Sequence, residues 1–197
     1  MDRSLWLCLI LAAAFALAAP KPAHADPDLT VREADQVLHE VMAIPGRQIP
    51  TKLLSDAQGI AIIPNVLKIG FIAGVRRGHG VVMVREPNGA WSLPQFMTLT
   101  GGSVGAQIGG TEIDVILVIM NRSGVEHLLS NQVKLGGEIS AAAGPVGRAG
   151  EASTDLQMQA QILSYSRSRG LFAGVTVNGS VIKEDVDANT RFYEKTL

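Results

Sequence analysis

The sequence predicts an α+β domain. Helices come first, then a mostly antiparallel, Gly-rich β-sheet (a sandwich or partial barrel), then a C-terminal helix. Three observations predict it. Apolar residues recur at helical spacing between Thr30 and Ala43. From Gly59 onward the pattern changes to short apolar runs of strand length, punctuated by Gly and Pro. Through that stretch strands do not alternate with helices, so a doubly wound parallel sheet is not expected.

The chain opens with Arg3, an apolar run from Leu5 to Ala19, the breaker Pro20-Lys21-Pro22 and the small-x-small triplet Ala23-His24-Ala25. That layout is expected of a secretory signal peptide cleaved after Ala25, and it predicts a periplasmic or secreted protein. Cleavage removes Asp2, Arg3, Lys21 and the single Cys8, and leaves 172 residues with 15 basic and 17 acidic side chains. A chain of that size buries roughly 70% of its unfolded surface, enough to fold without disulfides. Residues 26–197 are expected to form a single domain.

In the first helix Val31, Ala34, Val37, Leu38, Val41 and Met42 share a face, Thr30-x-x-Glu33 offers a capping box, and Pro45-Gly46 ends the segment. Its polar face sets one Arg against three acids, so packing on the sheet is expected rather than a membrane-surface role. A short helix follows from Pro50 to about Ala57. Gly59 to Pro64 reads as an apolar strand. Lys68 to Arg77 and Gly80 to Glu86 read as two strands turning at Gly78-His79-Gly80, which makes His79 an exposed turn residue. Pro87-Asn88-Gly89 is a turn, Trp91 begins another strand, and 96–110 is Gly-rich and extended. Ile113 to Met120 (IDVILVIM) is the expected central buried strand. A helical turn or two at 124–130, a strand at 138–143, a strand pair at 159–167 and 171–177, and a helix over 185–195 complete the chain.

Composition excludes several functions. With 17 Lys+Arg against 18 Asp+Glu, general nucleic-acid binding is not expected. One Cys rules out a disulfide framework or a Cys-based zinc site within one chain. His39, His79 and His127 lack metal-ligand spacing, so no metal and no cofactor is expected. Gly101-Gly102-Ser103-Val104-Gly105 matches the serine-hydrolase elbow, and Asp114 and His127 follow in that class's order. The elbow needs a strand-to-helix turn after Ser103, and Ala106-Gln107-Ile108-Gly109-Gly110 is a poor helix start. A bent Gly-rich strand is the expected reading, and no enzyme is predicted.

The cations offer a different chemistry. Lys68, Arg76 and Arg77 lie on or beside one predicted hairpin. Arg167 and Arg169 are two apart, so on an extended strand they face the same side as Tyr165. Converging guanidinium groups suit phosphate oxygens; the alternative is a set of solvated sheet-face cations.

Several blocks, in order, carry a family resemblance: Ala57-Gln58-Gly59-Ile60-Ala61-Ile62-Ile63-Pro64, Gly78-His79-Gly80-Val81, Trp91-Ser92-Leu93-Pro94-Gln95-Phe96, Gly102-Ser103-Val104-Gly105-Ala106-Gln107-Ile108-Gly109, Gly144-Pro145-Val146-Gly147-Arg148, and Ser164-Tyr165-Ser166-Arg167-Ser168-Arg169-Gly170-Leu171-Phe172. In this ordered set the chain resembles the SYLF domain family, found in yeast actin-patch proteins, plant FYVE-domain proteins and exported bacterial proteins. The resemblance implies non-enzymatic binding of phosphoinositide or other anionic phospholipid headgroups. The expected contacts are Arg76, Arg77, Arg167 and Arg169, with Lys68 and Arg148 as further candidates. The expected partners are anionic lipids or an envelope membrane surface. An envelope structural or protein-interaction module is the alternative.

Overall fold

A computed structural model describes residues 25–70, 73–104, 109–130, 132–147, 159–168 and 171–194. The helices are α1 (Pro27–Met42), α2 (Thr51–Asp56), α3 (Arg122–Leu128) and α4 (Val186–Glu194). The strands are β1 (Gly59–Gly70), β2 (Ala73–Val84), β3 (Gln95–Val104), β4 (Gly109–Ile119), β5 (Gln132–Lys134), β6 (Ala141–Ala143), β7 (Ile162–Ser168), β8 (Leu171–Gly174) and β9 (Ser180–Glu184). They form one curled sheet in the order β5-β9-β3-β2-β1-β4-β7-β6, with β8 also pairing β7. All described pairings are antiparallel except β6 with β7. The α+β architecture matches the sequence expectation, with IDVILVIM inside the sheet between β1 and β7.

The sheet is covered on both faces. On one, α1 buries Ala34, Val37 and Val41 in a core with Ile60, Ile62, Val81, Phe96, Ile116, Val118, Leu163 and Tyr165. On the other, Ala61, Ile63, Val66, Val82, Leu99, Val115 and Leu117 pack with Val125 and Leu128 of α3 and with Val133, Leu135 and Ile139. The alternation of odd and even positions between these cores is the strand period read as burial.

Local details depart from the expectations. The N-cap of α1 is Asp26, whose carboxylate accepts from the Asp28 N–H, with Pro27 in the first turn. Thr30 is buried inside the helix and donates its hydroxyl to the Asp26 carbonyl, so the Thr30–Glu33 box does not form. Pro at the first position supplies a preset φ and lacks only an N–H that would be unpaired anyway, and this favours the earlier start.

Gly78-His79-Gly80 is not a turn but lies inside β2. β1 carries a bulge at Pro64-Asn65, with two residues opposite Asp114. Asn65 has φ 49°, and its N–H donates to Asp114 Oδ1 at 3.1 Å. Against this bulge a Cβ at Gly78 would lie 2.8 Å from Ile63 and Val66 methyl carbons, and one at Gly80 2.7 Å from the Ile63 Cα. The glycines admit the neighbouring strand rather than reverse the chain. His79 is accordingly half-buried, with Nδ1 3.1 Å from Asp185 Oδ2.

Trp91 forms only an isolated bridge to Arg85, and β3 begins at Gln95. The Gly-rich stretch read as one extended segment contributes to two strands, β3 and β4. The short strands β5 and β9 had no clear signal of their own. They pair with each other, and β9 also pairs with β3.

Candidate functional site

Beyond the bulge, β1 and β2 continue in register: Leu67 opposite Arg77, Lys68 opposite Arg76, Ile69 opposite Val75. The cations on this hairpin therefore divide between the faces. Lys68 and Arg76 point away from α1, into a cleft of about 570 Å³. Thr111 and Ile113 of β4, Ser166 and Ser168 of β7, and the Val175–Asn178 connection complete its walls. Arg77 shares the opposite face with His79, Thr98, Lys183 and the carboxylates of Glu184, Asp185 and Asp187.

The bulge produces this arrangement. Counted by twos from Ile63, position 68 would fall on the α1 face. The extra residue at Pro64-Asn65 moves Lys68 to the other face, opposite Arg76.

The cleft is chemically one-sided. It holds two cations, the hydroxyls of Thr111, Ser166, Ser168 and Thr176, and the Asn178 amide, with no carboxylate among the described lining residues. Arg76 Nε and Nη2 donate to the Gly102 carbonyl at 3.3 and 3.0 Å, which fixes the guanidinium and leaves other N–H groups for a ligand. Burial pushes its pKa down from the usual arginine value, and a neighbouring anion would offset that cost. Among the described residues neither Lys68 nor Arg76 has an acidic partner.

Arg167 lies on the α1 face with Tyr165, as the alternation predicted, and is held by carboxylates. Its Nε donates to Asp114 Oδ2 at 2.8 Å, and Nη1 pairs with Glu40 of α1. Asp114 is buried, which raises its pKa; the Asn65 N–H opposes that shift and Glu112 adds to it. The Glu40–Arg167–Asp114 cluster thus joins α1, β7, β4 and the β1 bulge. Of the other predicted contacts, Arg169 and Arg148 lie outside the described residues.

The hydrolase match does not assemble a triad among the described residues. Position 103 is in β3, paired with Gly74, rather than at a strand-to-helix turn. Asp114 is engaged by Arg167 on the α1 face, whereas His127 belongs to α3 on the other face and bonds within that helix to Ser123. No group of His, Cys, Asp and Glu suited to a metal ion occurs among the described residues. No described helix is long and apolar enough to cross a membrane.

Comparison with known proteins adds kinship. The profile of the family described as "Ysc84: Las17-binding protein actin regulator" matches residues 100–197. SH3 domain-containing YSC84-like protein 1 of Homo sapiens is 34% identical over 168 residues, 82% of this chain and 49% of that protein. LAS seventeen-binding protein 3 of Saccharomyces cerevisiae is 38% identical over 148 residues, 74% of this chain and 32% of that protein. An SH3 domain-containing protein of Schizosaccharomyces pombe is 39% identical over the same length, 74% of this chain and 34% of its own. The chain thus spans about half the length of the animal relative and about a third of the fungal ones.

Proposed function

The chain belongs to the Ysc84 (SYLF) family, and from that premise we propose that it is a non-enzymatic module binding anionic phospholipid headgroups at a membrane surface. One observation carries the reading. Lys68 and Arg76 face each other across β1 and β2 and open into a hydroxyl-lined cleft with no described acid. The Arg fork and the Lys point charge suit phosphate oxygens, and serine and threonine hydroxyls donate to the oxygens the cations leave free. Arg77 lies on the reverse of the same hairpin, within reach of a surface approached by its end. Arg167 serves a different role in this reading, anchoring α1 through Glu40. The envelope of the exporting cell supplies the membrane, reached after cleavage at Ala25.

The test is co-sedimentation of the mature protein with vesicles of phosphatidylglycerol and phosphatidylcholine against phosphatidylcholine alone. Binding to the anionic vesicles only, weakened by salt, supports the proposal. Equal sedimentation with both, or with neither, overturns it.

A second reading, docking of an envelope protein, draws on the name of the yeast relative, which describes a protein that binds another protein. A single crosslinked partner recovered from the envelope, with no vesicle binding, would favour it.

A further inference from the structure

Registers across β4, β1, β2 and β3 place residues of the four central strands in rows. Near the end of the sheet, behind the Ala73–Val104 pair, lie Gly109, Gly70, Gly74 and Ser103. Next come Gly110, Ile69, Val75 and Gly102, and behind them Thr111, Lys68, Arg76 and Gly101. The second row therefore has only two side chains, both apolar. Ile69 is 50% exposed and Val75 65%, on the face that α1 leaves uncovered here. Leu67, 40% exposed, continues the strip on the same face, between Glu112 and Arg77.

We infer that this end of the sheet is a membrane-insertion edge, with Ile69 and Val75 entering the interfacial layer of an anionic bilayer while Lys68 and Arg76 stay at the phosphates. The inference rests on the headgroup-binding reading and specifies how the protein docks. Three features support a bilayer as the occupant. Rows are about 3.3 Å apart, so Lys68 and Arg76 sit one row behind the apolar pair, and their long side chains can keep the charges at the headgroup layer. The inner strands β1 and β2 are paired on both sides along this stretch, so the backbone beneath Ile69 and Val75 is satisfied, while the outer edges of β3 past Gly101 and of β4 before Asp114 have no described strand partner and hold entry to the hydrated interfacial layer. Among the described residues, no charged side chain lies in these two rows or in the Ala73–Val104 pair ahead of them, and the first charges behind them, Lys68 and Arg76, complement anionic lipid.

The test uses the mature protein, residues 26–197, as in the vesicle test above. Ile69→Ser/Val75→Ser should lower affinity for anionic vesicles about ten-fold and abolish the pressure rise under an anionic monolayer, with salt sensitivity retained. Val75→Trp should bind more tightly, its emission shifting blue with anionic vesicles and being quenched by lipids brominated in the upper acyl chain. If the wild type binds anionic vesicles but the serine variant binds equally, or Val75→Trp emission stays unchanged, the insertion edge is overturned and headgroup binding stands. A change in oligomeric mass on serine substitution, without a change in vesicle affinity, assigns the strip to protein contact and also overturns it. If the wild type binds neither vesicle type, the headgroup reading fails and this inference with it.

Discussion

Lys68 and Arg76 are cross-strand partners whose side chains open into the same cleft, and they are so because Asn65 adopts φ 49° three residues earlier. The bulge at Pro64-Asn65, held by the Asp114 carboxylate on the Asn65 N–H, shifts the face of every later residue in β1. Two cations side by side repel one another, and the nearby hydroxyls do not neutralise them. An anion bound between them would relieve that repulsion, as the proposed headgroup site requires.

The first prediction concerns that pair. Lys68→Gln/Arg76→Gln should reduce affinity for anionic vesicles by about ten-fold or more per residue, the equivalent of one charge-assisted hydrogen bond each. The salt dependence should flatten at the same time. Co-sedimentation across a salt series measures both, and an unchanged slope would count against the cleft.

Arg167→Gln should act on stability instead. It leaves Asp114 buried without its guanidinium and unties Glu40, and removing one partner of such a cluster costs roughly 3 kcal/mol. Urea unfolding should show a lowered midpoint. Asp114→Asn in the same chain should cost less than the two single changes added together, because the stranded charge is gone.

Gly144 lies against Tyr165, whose ring a Cβ at that position would overlap. Tyr165 has no room to retreat. It is fully buried, stacks on Phe172 with ring centroids 5.4 Å apart, and donates its hydroxyl to the Pro145 carbonyl at 3.2 Å. Gly144→Ala should therefore destabilise the fold by about 1–3 kcal/mol through overpacking. A thermal midpoint equal to that of the wild type would contradict this packing.

Alkaline pH provides a separate test of Tyr165. Burial raises its pKa above the ordinary tyrosine value, and Tyr193 is shifted the same way. Below about pH 10 both folded and unfolded chains keep the phenol proton, and the tyrosines add no pH dependence. Above it the unfolded chain releases protons that the folded chain retains, so stability falls as pH rises. Tyr165→Phe should show a shallower decline between about pH 10 and 11 in urea melts, even though its stability at neutral pH is reduced by the lost hydrogen bond.

Processing after Ala25 would give a mature chain that begins at Asp26, the residue capping α1. Intact-mass measurement of the exported protein should give the mass of residues 26–197. A mass retaining the leader would overturn cleavage after Ala25 and leave the cleft untouched.

Much of the fold was legible because its signals are local. The helical spacing of Ala34, Val37 and Val41 forecast the face that α1 buries. The run IDVILVIM is apolar on both faces because β4 is covered on both. The hairpin turn was misplaced for a physical reason: glycine serves both reversals and close approaches, and sequence alone does not separate them. At Gly78 and Gly80 the need is for close approach to Ile63 and Val66, residues well back in the chain. Strands β5 and β9 are short, and their pairing with each other and with β3 is what makes them strands.

The candidate site divides in the same way. The sequence by itself determined the family, the α+β class, the supply of cations near one hairpin, and the placing of Arg167 on the face of Tyr165. Only the tertiary structure decided that Lys68 joins Arg76 while Arg77 turns away, and that Arg167 is claimed by Glu40 and Asp114. Strand period sets which face a side chain takes, but a single inserted residue reverses it. Whether a residue is inserted depends on the strands on either side, and so does the choice of carboxylate that reaches a given guanidinium.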